Sequence, residues 1–467
     1  MSLNAVIAAN RFGLGARPGE LAQIARDPKA WLLSQVGQSQ STNIRSDGLL
    51  SSAQAFEALQ SYQEARAAQR RTEASPSPAV NVDERVRLAD LVGQTTGREI
   101  EARIQHAVTT QAPFAERWVQ FWSNHFTVAV RNLQTTPFPG SFEREAIRPH
   151  VWGRFEDLLV KADTHVGMLI YLDQAQSIGP NSQAAQTQQG RRRAAGLNEN
   201  LAREILELHT LGADGGYSQA DVTEFARALT GWTVAGPRLR RLAQGSRVGT
   251  TIFVSELHEP GSRTILGKNF PAAGERQALD ILAHLARQPS VAKRIAFKVA
   301  QHFVADDPPP ALVARLETSF RQSSGDLSQL AKTLIQSPEA WAPETRKFKT
   351  PNDFLISTMR ASGAKTTSTQ ALRATFEQLG QTPWRAPSPK GWADVASEWA
   401  APDAILKRID WANLAADVIG ETFQPIAFAE SALGPALTDK TRTSISRAQT
   451  ARQGIVLALM SPEFQRR

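Results

Sequence analysis

Four short segments in the middle third of the chain hold the residue types that do chemistry. The first is Arg117-Trp-Val-Gln-Phe-Trp122-Ser-Asn124-His125-Phe126, in which apolar and aromatic neighbours are expected to bury Asn124 and His125 in part. A buried histidine is either a hydrogen-bonded core residue or a metal ligand or general base. The second is Asn198-Glu199-Asn200-Leu-Ala-Arg203-Glu204-Ile-Leu-Glu207-Leu-His209. On an α-helix Asn200, Arg203, Glu204 and Glu207 share one face. Glu204 and Glu207 are then one turn apart, a spacing at which two carboxylates converge on one ion or share a proton. The plainer reading is a solvated face with an Arg203–Glu207 pair. By the 3.6-residue period His209 falls about 140° from Glu204, on another surface. The third is Tyr217-Ser-Gln-Ala-Asp221-Val-Thr-Glu224-Phe-Ala-Arg227. There Asp221 reads as half of a capping box and Arg227 as an ion-pair partner for Glu224 or a neighbour. The fourth is the turn His258-Glu259-Pro-Gly261; Asp163, His165 and Asp173 are further candidates.

Three kinds of function suit these residues. His125, Glu204, Glu207 and His258 would make a mixed nitrogen and oxygen site for a divalent metal (Zn, Fe, Mn or Cu) that activates water or dioxygen. Asn124, Asn200, Arg203 and Asp221 would then orient ligands or substrate. Without a metal, Glu204 and Glu207, or Asp173, would act as an acid–base pair, for example on glycosidic bonds. In the third, non-catalytic case, the same polar groups only fix helix packing in a scaffold or chaperone. The chain has no cysteine, so disulfides, thiolate nucleophiles and cysteine-held metals are excluded. No phosphate loop, His-Glu-x-x-His or Gly-x-Ser-x-Gly pattern is present. Gly13-Leu-Gly15-Ala-Arg-Pro-Gly19 superficially looks like a dinucleotide loop. Its third glycine comes one place late and no βαβ unit surrounds it.

The elements that must position these groups read as helices with 3.6-residue apolar spacing. They are expected at 21–36, 52–70, 84–110, 114–125, 199–211, 218–230, 275–287, 291–304, 312–323 and 327–336, with further helix beyond 350. Asn198 reads as an N-cap and Ser218 opens a capping box. β-Branched runs at 250–254 and 263–266 flank His258–Gly261 and predict one small hairpin within 249–267. Residues 71–83 read as a mobile connector and 179–196 as a surface excursion. The expected class is all-α, a multi-helix body with that one hairpin. Its parts are N-terminal helices and connector (1–83), a central body with the polar motifs (84–345) and C-terminal helices packed on it (346–467), within one or more domains.

Composition sets outer limits. The 467 residues suffice for two or three cores or one large body, and 41% hydrophobic with 21% charged residues is globular rather than disordered. The formal charge of +8 includes the run Arg191–Arg193. No aromatic and basic interleaving of the kind that reads single strands appears, so nucleic acid is not the expected partner. No apolar stretch reaches the roughly 18 residues of a membrane span. The start lacks a basic region followed by an apolar run, so no export signal is expected in this chain. It reads as cytoplasmic as it stands and as periplasmic if a leader has been removed.

Taken in order, the motifs resemble a bacterial family catalogued as domain of unknown function 1800. They are Arg11-Phe-Gly-Leu-Gly15, Phe121-Trp-Ser-Asn-His-Phe126, Tyr171-Leu-Asp173, Asn198 to Gly212, Tyr217 to Trp232, His258 to Gly261 and Pro387 to Trp392. The sequence departs from the family pattern at Glu259, where Asp is usual, and at Arg263, where Lys is usual. The longer Glu259 would displace a ligand oxygen by about one methylene. The resemblance implies relatives rather than an activity, because the family has none agreed. It also implies a cell-envelope role beside a genomic-neighbour protein that resembles the alkaline-phosphatase and sulfatase fold.

Overall fold

The computed structural model describes residues 2–72, 82–187, 196–239, 241–344, 347–364 and 369–467. Among these residues the chain is mostly helical, with two small antiparallel strand pairs. The helices come where apolar periodicity meets a start signal. Pro113, Pro289, Pro310, Pro351 and Pro402 each open a helix. There the missing N–H costs nothing and the fixed φ suits the first turn. Ser218 and Asp221 form the capping box, with Ser218 N–H on Asp221 Oδ2 at 2.7 Å. Asn198 acts one step differently from its expected cap role: its Oδ1 accepts from Asn200 N–H at 2.9 Å and the helix starts at Asn200. The stretch expected as one helix over 21–36 is two short ones, Glu20–Ile24 and Pro28–Leu33, divided where Pro28 cannot donate. Much of the 71–83 connector, and Arg191–Arg193 of the 179–196 excursion, lie outside the described residues.

The single hairpin expected within 249–267 is corrected. Thr251–Phe253 pairs with Trp232–Val234, and Arg263–Ile265 pairs with Lys268–Phe270. The two β-branched runs therefore do not pair with each other. The strand beginning at Trp232 follows directly on the helix that ends at Leu229, and its apolar burial claims the first run. Leu266 and Gly267, both at positive φ, make the tight turn that closes the second pair.

Among the described residues two hydrophobic cores result. One takes residues from Ala5 to Ala340, so the N-terminal helices share it with the central body. Its centre is aromatic, with Trp118 stacked on Trp152 at 6.0 Å and Phe303 against Phe12 and Phe114. The second joins Phe354–Phe464 to Leu14 and to Ile100, Ile104, Ala107 and Val108 of the Arg98–Thr109 helix. The opening motif is a seam between them. Arg11 donates to Ala340, Ala342 and Glu344 carbonyls at 2.7, 2.8 and 2.6 Å. Arg117 Nε binds Gly13 O at 2.5 Å, and Arg360 Nε binds Gly15 O at 2.7 Å. Gly15 has φ +97°, and a Cβ there would lie 2.7 Å from Ser357 Cβ. The glycine-rich motif is thus a packing device.

Candidate functional site

The Pro289–Phe303 helix presents Arg294, Lys298 and His302 four residues apart, along one face. Each meets a different polar group. Arg294 donates to Leu208 O at 3.2 Å. Lys298 Nζ lies 2.9 Å from His125 Nδ1, and His302 Nδ1 lies 2.6 Å from Asp394 Oδ2.

His125 is buried, and its other nitrogen, Nε2, lies 3.1 Å from His209 O. A lysine beside Nδ1 makes that atom the acceptor, so Nε2 carries the proton and donates to the carbonyl. Burial, then the Lys298 charge, pushes the His125 pKa well below the usual range. Burial, and after it Arg294, pulls Lys298 down to about 7.

The helix expected to run unbroken through Glu204 and Glu207 changes pitch. It is α-helical over Asn200–Glu204 and π-helical over Ile205–Thr210. A π turn brings residues five apart closer to register than an α turn does, while the His209 side chain is directed at Asp163 in the core. His209 is the strongest favourable charge acting on Glu204. His209 is itself fully buried, its Nδ1 2.8 Å from Asp163 Oδ1, with both side chains at 0% exposure. Glu204 is half-buried; burial raises its pKa, His209 opposes that and Glu207 adds to it. Glu207 accepts a long bond from Tyr217 Oη at 3.4 Å. Arg203 pairs with Glu199 at 3.1 Å and with Gln219 at 2.9 Å rather than with Glu207. Asn200 and Asp173 are exposed, and Asp173 is held at φ 58°.

His258 does not join this group in a ligand set. Its Nδ1 lies 2.8 Å from Thr230 O. Glu259 is buried and its carboxylate closes a loop, accepting from Asn181 N and Nδ2 at 2.7 and 2.6 Å. Arg227 and Arg263 both reach Glu224. Among the described residues no three His, Asp or Glu side chains gather closely enough to hold a metal ion. With one ring nitrogen on a carbonyl and the other on a lysine, His125 does not fit the role of ligand as it stands.

The other end of the stripe opens into a cavity of about 100 Å³ lined by Asn124, His302, Asn352, Trp384, Trp392 and Asp394, among others. Asn124 holds one wall: its Nδ2 donates to Trp392 O at 3.0 Å, and its Oδ1 accepts from Trp392 N–H at 2.8 Å. Gly391 makes that approach possible. It has φ +85°, and a Cβ would lie 2.5 Å from Asn124 O and 2.7 Å from Asn124 Oδ1. Asp394 is gripped by His302 and by Lys347, whose Nζ is 3.1 Å from Oδ1. Burial by itself would raise its pKa, but His302, Lys347 and Arg467 outweigh burial and keep it ionised far below the carboxylate range. Since Asp394 accepts, His302 Nδ1 must donate, and Nε2 is the bare nitrogen. That Nε2 is buried and has no hydrogen-bond partner among the described residues. Burial lowers the His302 pKa, and Asp394 only partly restores it.

Gly391→Ala is expected to loosen this wall. The strained backbone and the clash with Asn124 should cost roughly 1–3 kcal/mol. Urea unfolding should show a lower midpoint, and tryptophan emission should shift to the red as Trp392 leaves its seat. Unchanged emission and midpoint would mean that the loop is not held this way.

Sequence reasoning missed His302, Asp394 and Lys298. A signal existed for the stripe, because Arg294, Lys298 and His302 recur every fourth residue on a helix that was expected. Nothing local announces Asp394, which lies 92 residues beyond His302.

The family described as "Protein of unknown function (DUF1800)" matches residues 7–466. The chain belongs to this family. No curated protein and no solved structure matches the chain. Of the motifs that carried the resemblance, the DUF1800 segments Phe121–Phe126 and Pro387–Trp392 meet through Asn124 and Trp392 at the cavity. The segment Asn198–Gly212 reaches the same helix face through Leu208 and Arg294.

Proposed function

We propose that this chain is an enzyme that works by general acid–base catalysis, with His302 as the base and Asp394 as the residue that orients it. One observation carries the reading: the Nε2 of His302, bare and without a partner among the described residues, belongs to a residue that lines the cavity, while its Nδ1 is fixed on an ionised carboxylate. A histidine so held keeps one tautomer, accepts a proton at Nε2 and has its imidazolium stabilised by Asp394. Asp163–His209 has the same chemistry but is sealed at 0% exposure, whereas His302 is on the lining of the cavity, and that singles it out. The reaction class that fits is proton abstraction from water or a substrate hydroxyl. A hydrolase is its simplest form.

The metal-dependent reading would require His125 to release Lys298, and this geometry gives it less support. The acid–base pair Glu204 and Glu207 keeps one supporting observation, the raised pKa of Glu204. A role in the cell envelope beside a hydrolase-like partner is compatible with either chemistry and rests on family resemblance.

The test is a panel of chromogenic esters, glycosides, amides and phosphoesters, assayed with wild type and Asp394→Asn. Loss of the orienting carboxylate should lower turnover by roughly 10²–10⁴. The base must be neutral to work, and its pKa lies below the ordinary 6.5. Activity should therefore fall on acidification only at a pH below 6.5, with the acid limb displaced in Asp394→Asn. Equal turnover by the two proteins across the panel would reject the assignment.

A further inference from the structure

The chemistry of the cavity walls says what kind of molecule it takes, if it is the active site as proposed above. Every formally charged side chain on its lining already faces an opposite charge. Arg103 is 2.9 Å from Glu143. Asp353 is 3.0 Å from both Arg117 and Arg467. Asp394 is shared by His302 and Lys347. A charged ligand would enter without a counter-ion and would lose its hydration. The polar atoms left over are neutral. Asn352 Oδ1, Trp384 Nε1 and Trp392 Nε1, like His302 Nε2, are buried with no hydrogen-bond partner among the described residues. All four residues line this cavity.

These four atoms are two acceptors and two N–H donors. They come from three places: the Pro289–Phe303 helix, the Pro351–Ser362 helix and the 384–392 loop. A ligand that satisfies them must donate and accept around its perimeter. Hydroxyl groups do both, and a sugar ring carries them on all sides, whereas an amide presents its polar atoms at one end. Buried polar groups left unpaired are costly, so a site of this kind selects strongly for the molecule that pairs them.

We infer that the cavity binds a neutral saccharide unit through Asn352, Trp384 and Trp392, with one ring hydroxyl, or a water beside it, set against His302 Nε2. The site discriminates against uronates and other anionic sugars. The indole N–H groups are the specificity elements.

Saturation-transfer NMR and calorimetry with neutral mono- and disaccharides, the matching uronic acids and small primary amides test this. Neutral sugars should bind, and uronates at least about tenfold more weakly. Trp392→Phe and Trp384→Phe keep a ring and lose the N–H, and each should weaken sugar binding by about fivefold to tenfold. Thermal melts of the two variants, checked against wild type, separate that loss from unfolding. His302→Gln should bind sugar within a few-fold of wild type while losing turnover. Sugar binding thus stands or falls separately from the catalytic assignment. Preference for uronates or amides, no sugar binding in the millimolar range, or no effect of either well-folded indole variant would overturn the inference.

Discussion

Arg148→Ala is expected to destabilise the fold more than any other single change considered. Arg148 is 1% exposed and makes five hydrogen bonds to three residues. Its Nε and Nη2 bind Glu143 at 3.0 and 2.6 Å, and Nη1 and Nη2 bind Glu116 at 2.7 and 2.9 Å. Nη1 also binds Thr42 O at 2.9 Å. Burial by itself would raise the Glu143 pKa, yet Arg103 and Arg148 bring it down to about 2. In Glu116, too, Arg148 outweighs burial and the pKa is lowered. Without Arg148, Glu143 retains Arg103, but fully buried Glu116 keeps no cationic partner closer than His106 at 3.3 Å, with a long hydrogen bond from Gln120 at 3.4 Å. Removing one member of such a group costs roughly 3–5 kcal/mol, because the remaining charge stays buried without compensation. Denaturant midpoints should fall accordingly, or the variant should be recovered only as aggregate. Arg148→Met with Glu116→Gln removes charge from both sides and should regain part of the loss. A single variant as stable as wild type would show that the network does not stabilise the central body.

His302→Gln is expected to have the largest effect on activity. Glutamine cannot take up a proton near neutral pH, so base catalysis is lost while the cavity keeps much of its shape. Removal of a positioned base lowers turnover by roughly 10²–10⁴. The loss should appear in kcat, since the neutral hydrogen bonds that hold substrate come from other residues. If kcat is retained and only KM rises, His302 binds substrate and does no proton transfer. If neither changes, the reaction takes place elsewhere, and the Glu204 and Glu207 pair becomes the stronger candidate. Combining His302→Gln with Asp394→Asn should cost little more than His302→Gln alone, because Asp394 acts through His302.

Much of the architecture could be read directly from local pattern. The helices 312–323 and 327–336 were expected almost to the residue, because apolar spacing and a start signal coincide at Pro310 and Asp326. The Ser218 capping box was legible for the same reason. What failed depended on choices made through space. Both β-branched runs were recognised as strands, but their partners were Trp232–Val234 and Lys268–Phe270, which short-range pattern does not specify. The change of pitch over Ile205–Thr210 was missed because a π turn is not visible in side-chain periodicity, and six residues of it rotate everything after Glu204. The polar middle third was found, yet its significance shifted. Asn124 was noted beside His125 and proved to hold a cavity wall, whereas His125 is engaged by Lys298 and His209. The pair His302 and Asp394 is made by packing the Pro289–Phe303 helix against a loop far along the chain. No spacing rule could have joined them.

The central claim is that His302 is a neutral base with a bare Nε2, held by Asp394. Long-range ¹H–¹⁵N correlation spectra of histidine-labelled protein, with the His302 signals assigned by their absence in His302→Gln, measure this without a known substrate. The account predicts a protonated Nδ1 and an unprotonated Nε2 at pH 7, a pattern that persists as the pH is lowered to 6.5 and changes tautomer or charge in Asp394→Asn. A proton on Nε2 at pH 7, whether as the other tautomer or as the imidazolium, would contradict it.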